Sequence, residues 1–347
     1  MTLKVIAVSE DLFERYSTYV ANHPKARFGH DLEWARALRD TYGVSFEHLV
    51  ALDGEKVVGI CPLFFCKPLI GGPHYQTSLF PSYFGPLYDS ETVLNELLDV
   101  IKRKTSTVEY GEVLSHFPLP AAERLPYLEQ LDLTYRLSLD DTTDHIYKNF
   151  RRNYKRILRD PKFHEDVEII VDQDGSLVRE FHHLYANLYA RKHGFIPHVE
   201  KLFRNIFSYY QNGTARIYMA RHNGKYIGGI FTFWKYGEIY CGWSAQDLNT
   251  EYYPMHFLIW QMMQDGVAQG YHWFNHGEAP RENESLKLFK QGWAMEASDT
   301  FRYFIPGKLP KPVVRLYDRY SWTEKIISML PARVTSTFIS PLIRFFL

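Results

Sequence analysis

The chain repeats itself, and that limits what it can fold into more than any other feature. Residues 49–60 (LVALDGEKVVGI) read as a strand, an Asp-Gly turn and a second strand. Residues 217–230 (IYMARHNGKYIGGI) repeat that order around Asn-Gly. Both dipeptides suit the tight turns whose twist matches paired strands. Each hairpin runs on into an apolar aromatic stretch, Pro62-Leu63-Phe64-Phe65 and Phe231-Thr232-Phe233-Trp234. The surroundings repeat too. In the first half, helical periodicity at Leu32–Tyr42 precedes the hairpin, and a helix at 92–104 and a strand at 107–117 follow it. In the second half, helices at 176–193 and 199–211 precede the hairpin. A third strand at 238–243, a helix at 254–269 and a strand at 271–275 follow it. The expectation is an α/β (α+β) protein of two tandem units, each a mixed, mostly antiparallel sheet flanked by helices.

A chain of 347 residues is long enough for two such cores. The expected domains are 1–140, 141–306 and a basic amphipathic tail at 307–347. The clearest helix, 254–269, carries Met255, Leu258, Ile259, Met262, Met263 and Val267 on one stripe, with Pro254 in its first turn and Gly270 past its end. Gly266 inside that helix and Trp260 off the stripe depart from the simple pattern.

Forty Lys and Arg balance forty Asp and Glu, so no global field draws the chain to a polyanion and any such site is a local patch. The 25 Tyr, 24 Phe and 7 Trp can fill cores or line a cleft. Three cysteines without paired spacing, and first residues without a long apolar run, point to a cytoplasmic setting with reduced thiols.

Residues 238–304 carry a more specific pattern. A strand ending in Ser244-Ala245 leads to the 254–269 helix, then to Gly270-Tyr271-His272-Trp273-Phe274, a loop, and Phe289-Lys290-Gln291-Gly292-Trp293. Upstream stand the basic segment Phe150-Arg151-Arg152-Asn153-Tyr154-Lys155-Arg156 and the helix end Ala190-Arg191-Lys192-His193-Gly194. Together they resemble the FemAB-like branch of the GNAT acyltransferase superfamily. That branch includes the Fem aminoacyltransferases and the acetyltransferase-like proteins of cellulose and exosortase loci. The resemblance covers roughly 140–305. It implies two tandem GNAT-like domains with a cleft, and transfer of an acyl or aminoacyl group to an amine, the donor being aminoacyl-tRNA or acyl-CoA and no cofactor being bound. One departure bears on the donor. GNAT proteins hold the CoA pyrophosphate on a glycine-rich loop at a helix N-terminus. Here the corresponding loop, Gln246-Asp247-Leu248-Asn249-Thr250-Glu251, has no glycine and two carboxylates.

Acyl transfer needs a neutral amine, a stabilised carbonyl oxygen and an acid for the leaving group. No Gly-x-Ser-x-Gly elbow is present, so direct attack without a covalent enzyme intermediate is expected. Lys290 is expected to neutralise a phosphate or the developing oxyanion. Glu278 and His276, in a loop after the 271–275 strand, are expected to take the amine's proton, with Arg281 binding substrate in the same loop. The run 148–162 holds seven basic residues and one acid. Its Arg151, Arg152 and Lys155 suit the pyrophosphate of a lipid-linked precursor or a tRNA acceptor arm, and its ordinary alternative is a solvated helix face. Arg191 and His193 at a helix end, and Trp243 and Tyr252 beside the acidic loop, complete the substrate-binding candidates. The spacing His272-x-x-x-His276 lacks a third ligand, so no metal is expected.

The functional expectation is acyl or aminoacyl transfer to an amino group of a peptidoglycan or polysaccharide precursor. The alternatives are a non-catalytic binding or assembly factor for envelope polysaccharide and an acyl-CoA-dependent N-acetyltransferase. The tail carries seven basic residues against Asp318 and Glu324 and ends FISPLIRFFL. It suits either peripheral contact with the inner membrane or packing on the fold.

Overall fold

The computed structural model describes residues 3–69, 72–80, 82–120, 125, 127–130, 132–161, 165–309, 322–331 and 334–345. Lys162 of the basic run, and Lys311, Arg315, Arg319 and Arg333 of the tail, lie outside the described residues. The chain folds as two compact units. Unit 1 holds Met1–Leu133, Asp299–Arg319 and Ile343–Leu347, and unit 2 holds Thr134–Ser298 and Tyr320–Leu342.

Unit 1 runs β1 (Leu3–Ala7), α1 (Phe13–Asn22), α2 (Leu32–Tyr42), β2 (Ser45–Phe46), β3 (Leu49–Asp53), β4 (Lys56–Cys61), β5 (Phe64–Cys66), β6 (His74–Gln76), β7 (Leu87–Tyr88), α3 (Glu91–Thr105), β8 (Tyr110–Ser115) and β9 (Tyr127–Glu129). Unit 2 runs β10 (Asp132–Ser138), α4 (Thr143–Lys148), α5 (Arg152–Arg159), β11 (Val167–Asp172), α6 (Val178–Asn187), a π-helical turn (Leu188–His193), α7 (Glu200–Tyr209), β12 (Ala215–His222), β13 (Lys225–Lys235), β14 (Glu238–Gln246), α8 (Pro254–Ala268), β15 (Trp273–Pro280), α9 (Glu284–Gln291) and β16 (Glu296–Asp299). Beyond them lie β17 (Phe301–Pro306) and α10 (Trp322–Met329).

The two hairpins match more closely than their turn dipeptides suggest. β12 and β13 close on His222↔Lys225, leaving Asn223 and Gly224 as the turn with φ of 48° and 77°. Positive φ at both positions is the type I′ requirement. β3 and β4 close on Asp53↔Lys56, so the turn is Gly54-Glu55 and not the expected Asp53-Gly54. Each hairpin has a register shift at the same place, after Ala51 and after Ala220. Strand register, not the Gly-containing dipeptide, sets which two residues form the turn. Gly59 and Gly228 also correspond. An added Cβ would stand 2.5 Å from Val93 of α3 and 2.7 Å from Pro254 of α8, so both glycines let the following helix approach the sheet.

The strands that close the two halves are exchanged. β10, from the end of the first half, lies in the seven-stranded sheet of unit 2, ordered β11-β12-β13-β14-β15-β10-β16. β17, from the end of the second half, lies in the six-stranded sheet of unit 1, ordered β2-β5-β6-β8-β17-β9. The chain thus leaves unit 2 before residue 306, where a boundary was expected.

The core of unit 1 includes Leu94, Leu97, Leu98 and Ile101 of α3, packed with Leu49, Val113 of β8 and Tyr303 and Ile305 of β17. In unit 2, Phe181, Phe203, Phe231 and Trp243 form a mutually packed ring cluster. Both departures in α8 have packing causes. Gly266 faces Ile239 and Leu139, where a Cβ would come within 2.5 and 2.7 Å. Trp260 packs on Tyr147 and Phe150 at 5.6 and 5.3 Å between ring centroids, so a second face of the helix is covered.

Candidate active site

In unit 2, β14 and β15 pair in parallel only at Glu238↔Trp273, Ile239↔Phe274 and Tyr240↔Asn275. Both strands then continue, to Gln246 and Pro280. Beyond Tyr240 and Asn275 the two strands are no longer paired with each other. The segment 276–278, expected as loop, belongs to strand β15.

Lys290 explains how that strand is held. It is 2% exposed, near the end of α9. Its Nζ donates to the carbonyl oxygens of His276, Gly277 and Glu278 at 2.9, 2.9 and 2.8 Å. Successive carbonyls of a flat strand point to opposite sides. Gly277, at φ 72°, supplies the kink that turns all three toward one ammonium. An ammonium has three N–H donors, and all three are engaged. The expected role of Lys290 as a phosphate or oxyanion contact is therefore corrected: it is a positioning residue that shapes 276–278.

That shaping presents Glu278. Its Oε2 accepts a hydrogen bond from the Tyr240 hydroxyl at 2.8 Å, at the point where the strands part. His276 stands differently. Burial first, and the Lys290 charge second, push its pKa down to about 3, so the ring is neutral. Its Nδ1 is buried with no hydrogen-bond partner. A ring so hard to protonate is a poor proton acceptor at neutral pH. Cys241 follows Tyr240, and burial pushes its thiol well up, away from the thiolate form.

The basic segment docks onto the same region. The Arg151 N–H donates to the Gly292 carbonyl at 2.9 Å, and the Tyr154 hydroxyl donates to the Phe289 carbonyl at 3.0 Å. Around α5 lies a cavity of about 480 Å³ lined by Lys148, Arg152, Lys155, Arg156, Arg159 and Asp160 beside Tyr147. Lys155 spends one donor on the Lys148 carbonyl. Arg152 and Arg156 have no side-chain partner among the described residues.

A second cavity, of about 1320 Å³, lies between α6, the β12–β13 turn and the loop after β14. Arg191 and Arg179 line it, and neither has a partner among the described residues. The loop is closed on itself. Asp247 pairs with Lys225 at 2.5 Å and accepts the Asn249 N–H at 3.0 Å, and the Lys225 bond holds its carboxyl below the usual range. A carboxylate of the chain thus occupies a loop amide that an external anion would need, and Pro254 at the start of α8 has no N–H to offer.

Other expected contacts go elsewhere. Trp243 is 5% exposed and packs on Phe203 and His198, so it is core and not a ligand subsite. Tyr252 binds His222 Nε2 through its hydroxyl at 2.9 Å, tying the loop to the hairpin. His193 stacks with Phe195 and packs against Tyr189. Arg281 follows β15, and its carbonyl accepts from Lys287. His272 pairs with Asp140 at 2.6 Å. Sequence reasoning missed Tyr240 and Lys225. The signal for the first was Gly242, a lone glycine inside a strand, which falls at the register shift of β14 just past Tyr240.

Residues 148–284 match the profile of the acetyltransferase (GNAT) domain. No curated protein sequence matches the chain. Among solved structures, FemX superposes with a TM-score of 0.69 at 15% identity, covering 91% of this chain and 99% of its own. A tandem GNAT protein from the clavulanic acid biosynthesis pathway gives 0.55 at 11% identity, covering 90% and 100%. Residues 148–284 thus resemble a GNAT acetyltransferase domain, and the chain as a whole has the fold of FemX and of that tandem GNAT protein.

Proposed function

We propose that unit 2 transfers an acyl or aminoacyl group to the amino group of a cell-envelope precursor by direct attack. The Glu278 carboxylate, held against Tyr240 where β14 and β15 part, carries this reading. The amine nitrogen bonds to the acyl carbon and the bond from that carbon to the leaving oxygen breaks. Glu278 takes the nitrogen's proton, and Tyr240 donates its own to the leaving oxygen and recovers one from Glu278. No enzyme nucleophile is needed, and the buried Cys241 thiol is unsuited to be one. The internal Asp247 carboxylate at the loop amide favours an aminoacyl ester, as in Fem proteins, over acyl-CoA. Arg152 and Arg156 would receive phosphate groups of the precursor or of the tRNA acceptor arm.

The first experiment is isothermal titration with acetyl-CoA and with CoA. No saturable heat is expected; clear binding would move the donor to acyl-CoA. The second supplies charged tRNA and amine-bearing precursors to wild type and Glu278→Gln. The substitution keeps an acceptor for Tyr240 and should lower kcat by about 10²–10⁴ with KM little changed. Full activity of the variant would remove Glu278 from the chemistry, and no product with any amine would make the protein a binding module.

A further inference from the structure

Asn275 stands at the last rung where β14 and β15 pair, as the register partner of Tyr240. It is fully buried, which is costly for a side-chain amide unless it is hydrogen-bonded. Only one end of it is. Oδ1 accepts the Gly277 N–H at 2.9 Å and the Thr134 hydroxyl of β10 at 3.3 Å. Nδ2 is buried with no hydrogen-bond partner among the described residues. The Gly277 N–H is a donor, so the end of the amide that meets it is the oxygen, and the amide cannot turn to spend its own N–H groups there. What this side chain does is done through Oδ1.

An Asn oxygen that accepts from the N–H two residues on makes an Asx turn, a bend that competes with straight strand. Here the turn falls inside β15 and fixes the N–H side of Gly277, while Lys290 gathers the carbonyl oxygens of 276–278. Lys290 is a point charge with rotatable donors, so it collects carbonyls without dictating the angle of the chain. The Asn275 amide is planar and tied to the neighbouring strand β10 through Thr134. Gly277 also lies close to Tyr240, since an added Cβ there would stand 3.2 Å from the Tyr240 hydroxyl oxygen. Asn275 and Tyr240 thus flank one glycine, and the residue after it is Glu278, whose carboxylate accepts from Tyr240.

We infer that Asn275 is a positioning residue, whose Oδ1 sets the Gly277 kink and through it the seating of the Glu278 carboxylate on Tyr240. Its kinetic consequence rests on the acyl-transfer reading, and its structural consequence does not. Thr and Val have nearly the same shape and differ by one hydroxyl able to accept the Gly277 N–H, so Asn275→Thr is compared with Asn275→Val. In crystal structures of the two variants, the Tyr240–Glu278 hydrogen bond is expected in Asn275→Thr and lost in Asn275→Val. Its survival in Asn275→Val, or its loss in both, overturns the proposal whatever the protein catalyses. In turnover, Asn275→Val should lower kcat by up to about 10²-fold with KM within about twofold, and Asn275→Thr should recover most of that loss. Equal losses in both variants, or a raised KM at unchanged kcat, overturn it as well. Glu278→Gln separates the two readings. If that variant is fully active, the acyl-transfer reading fails and the structures still decide Asn275; if it is impaired while Asn275→Val keeps wild-type kcat, Asn275 alone fails. Should Asn275→Val not fold, Thr134→Val removes the second donor to Oδ1 and leaves the amide in place. A kcat lower by about threefold or more at unchanged KM is then expected, and an unchanged kcat overturns the proposal.

Discussion

Lys290 shows what a residue in a sequence can and cannot announce. Its place between aromatics was legible; its partners were not, because they are main-chain carbonyls, and any residue has one. A lysine that binds substrate and a lysine that holds a strand differ in what removal does. Lys290→Met would leave three carbonyl oxygens without their donor, in a place the ammonium now fills. Each buried acceptor left unmade costs about 1–3 kcal/mol, so the total is about 3 kcal/mol or more. In a unit of this size that lowers Tm by about 6–12 °C. Differential scanning calorimetry of the variant should show the loss, with kcat falling as Glu278 loses its setting. An unchanged Tm with a raised KM would restore Lys290 as a substrate contact. Glu278 itself was legible as a carboxylate after a strand, whereas its tie to Tyr240 depends on the parting of β14 and β15.

Periodicity located most of the elements. α2, α3, α7 and α8 fall where apolar spacing placed them, and both hairpins are present. The helix read as continuous over 176–193 instead changes at Asn187 to a π-helical turn, which closes on Gly194 at φ 68°. The same side-chain spacing serves an α-helix and a single π turn, so the pattern cannot separate them. β17 was not among the strands read from the sequence, and its partners lie nearly two hundred residues earlier in the chain. It pairs with β8 over Phe301↔Ser115 to Pro306↔Tyr110 and with β9 at Arg302↔Glu129. It buries Tyr303 and Ile305, and Arg302 bridges Glu112 and Glu129. A chain ending at residue 298 would therefore part β9 from β8 and leave β8 as an exposed edge. Hydrogen exchange should find that the amides of 110–115 that face β17 lose protection in that truncation, while those of β12 and β13, which close their own hairpin, stay slow. Native-like protection at 110–115 would show that β17 is dispensable.

At the scale of the molecule, neutrality at pH 7 hides a steep dependence on acid. His30 and His48 in unit 1, and His198 and His276 in unit 2, are pushed down to about 3 by burial, and His256 to about 4. Unfolded, each would titrate near 6.5. Between those values the unfolded chain binds protons that the folded chain refuses, so stability rises with pH across that window and is lost as pH falls through it. Above about pH 7 both states are unprotonated and these groups have no effect. Each such histidine contributes roughly 1 kcal/mol per pH unit below about pH 6, so the two in unit 1 give roughly 2 kcal/mol per pH unit and the three in unit 2 roughly 3. A domain's whole stability is about 5–15 kcal/mol. Asp247, with its folded pKa lowered, acts in a different window, losing its contribution only as pH falls below the usual carboxylate range. Acid unfolding is therefore expected before carboxylate titration begins, in both units, between about pH 6 and 4.5. Urea midpoints followed from pH 7.5 to 4.5 at constant ionic strength should be flat at the upper end and fall steeply below about pH 6. A midpoint that stays level down to about pH 5 would mean the histidines are hydrated in solution and their burial does not govern stability.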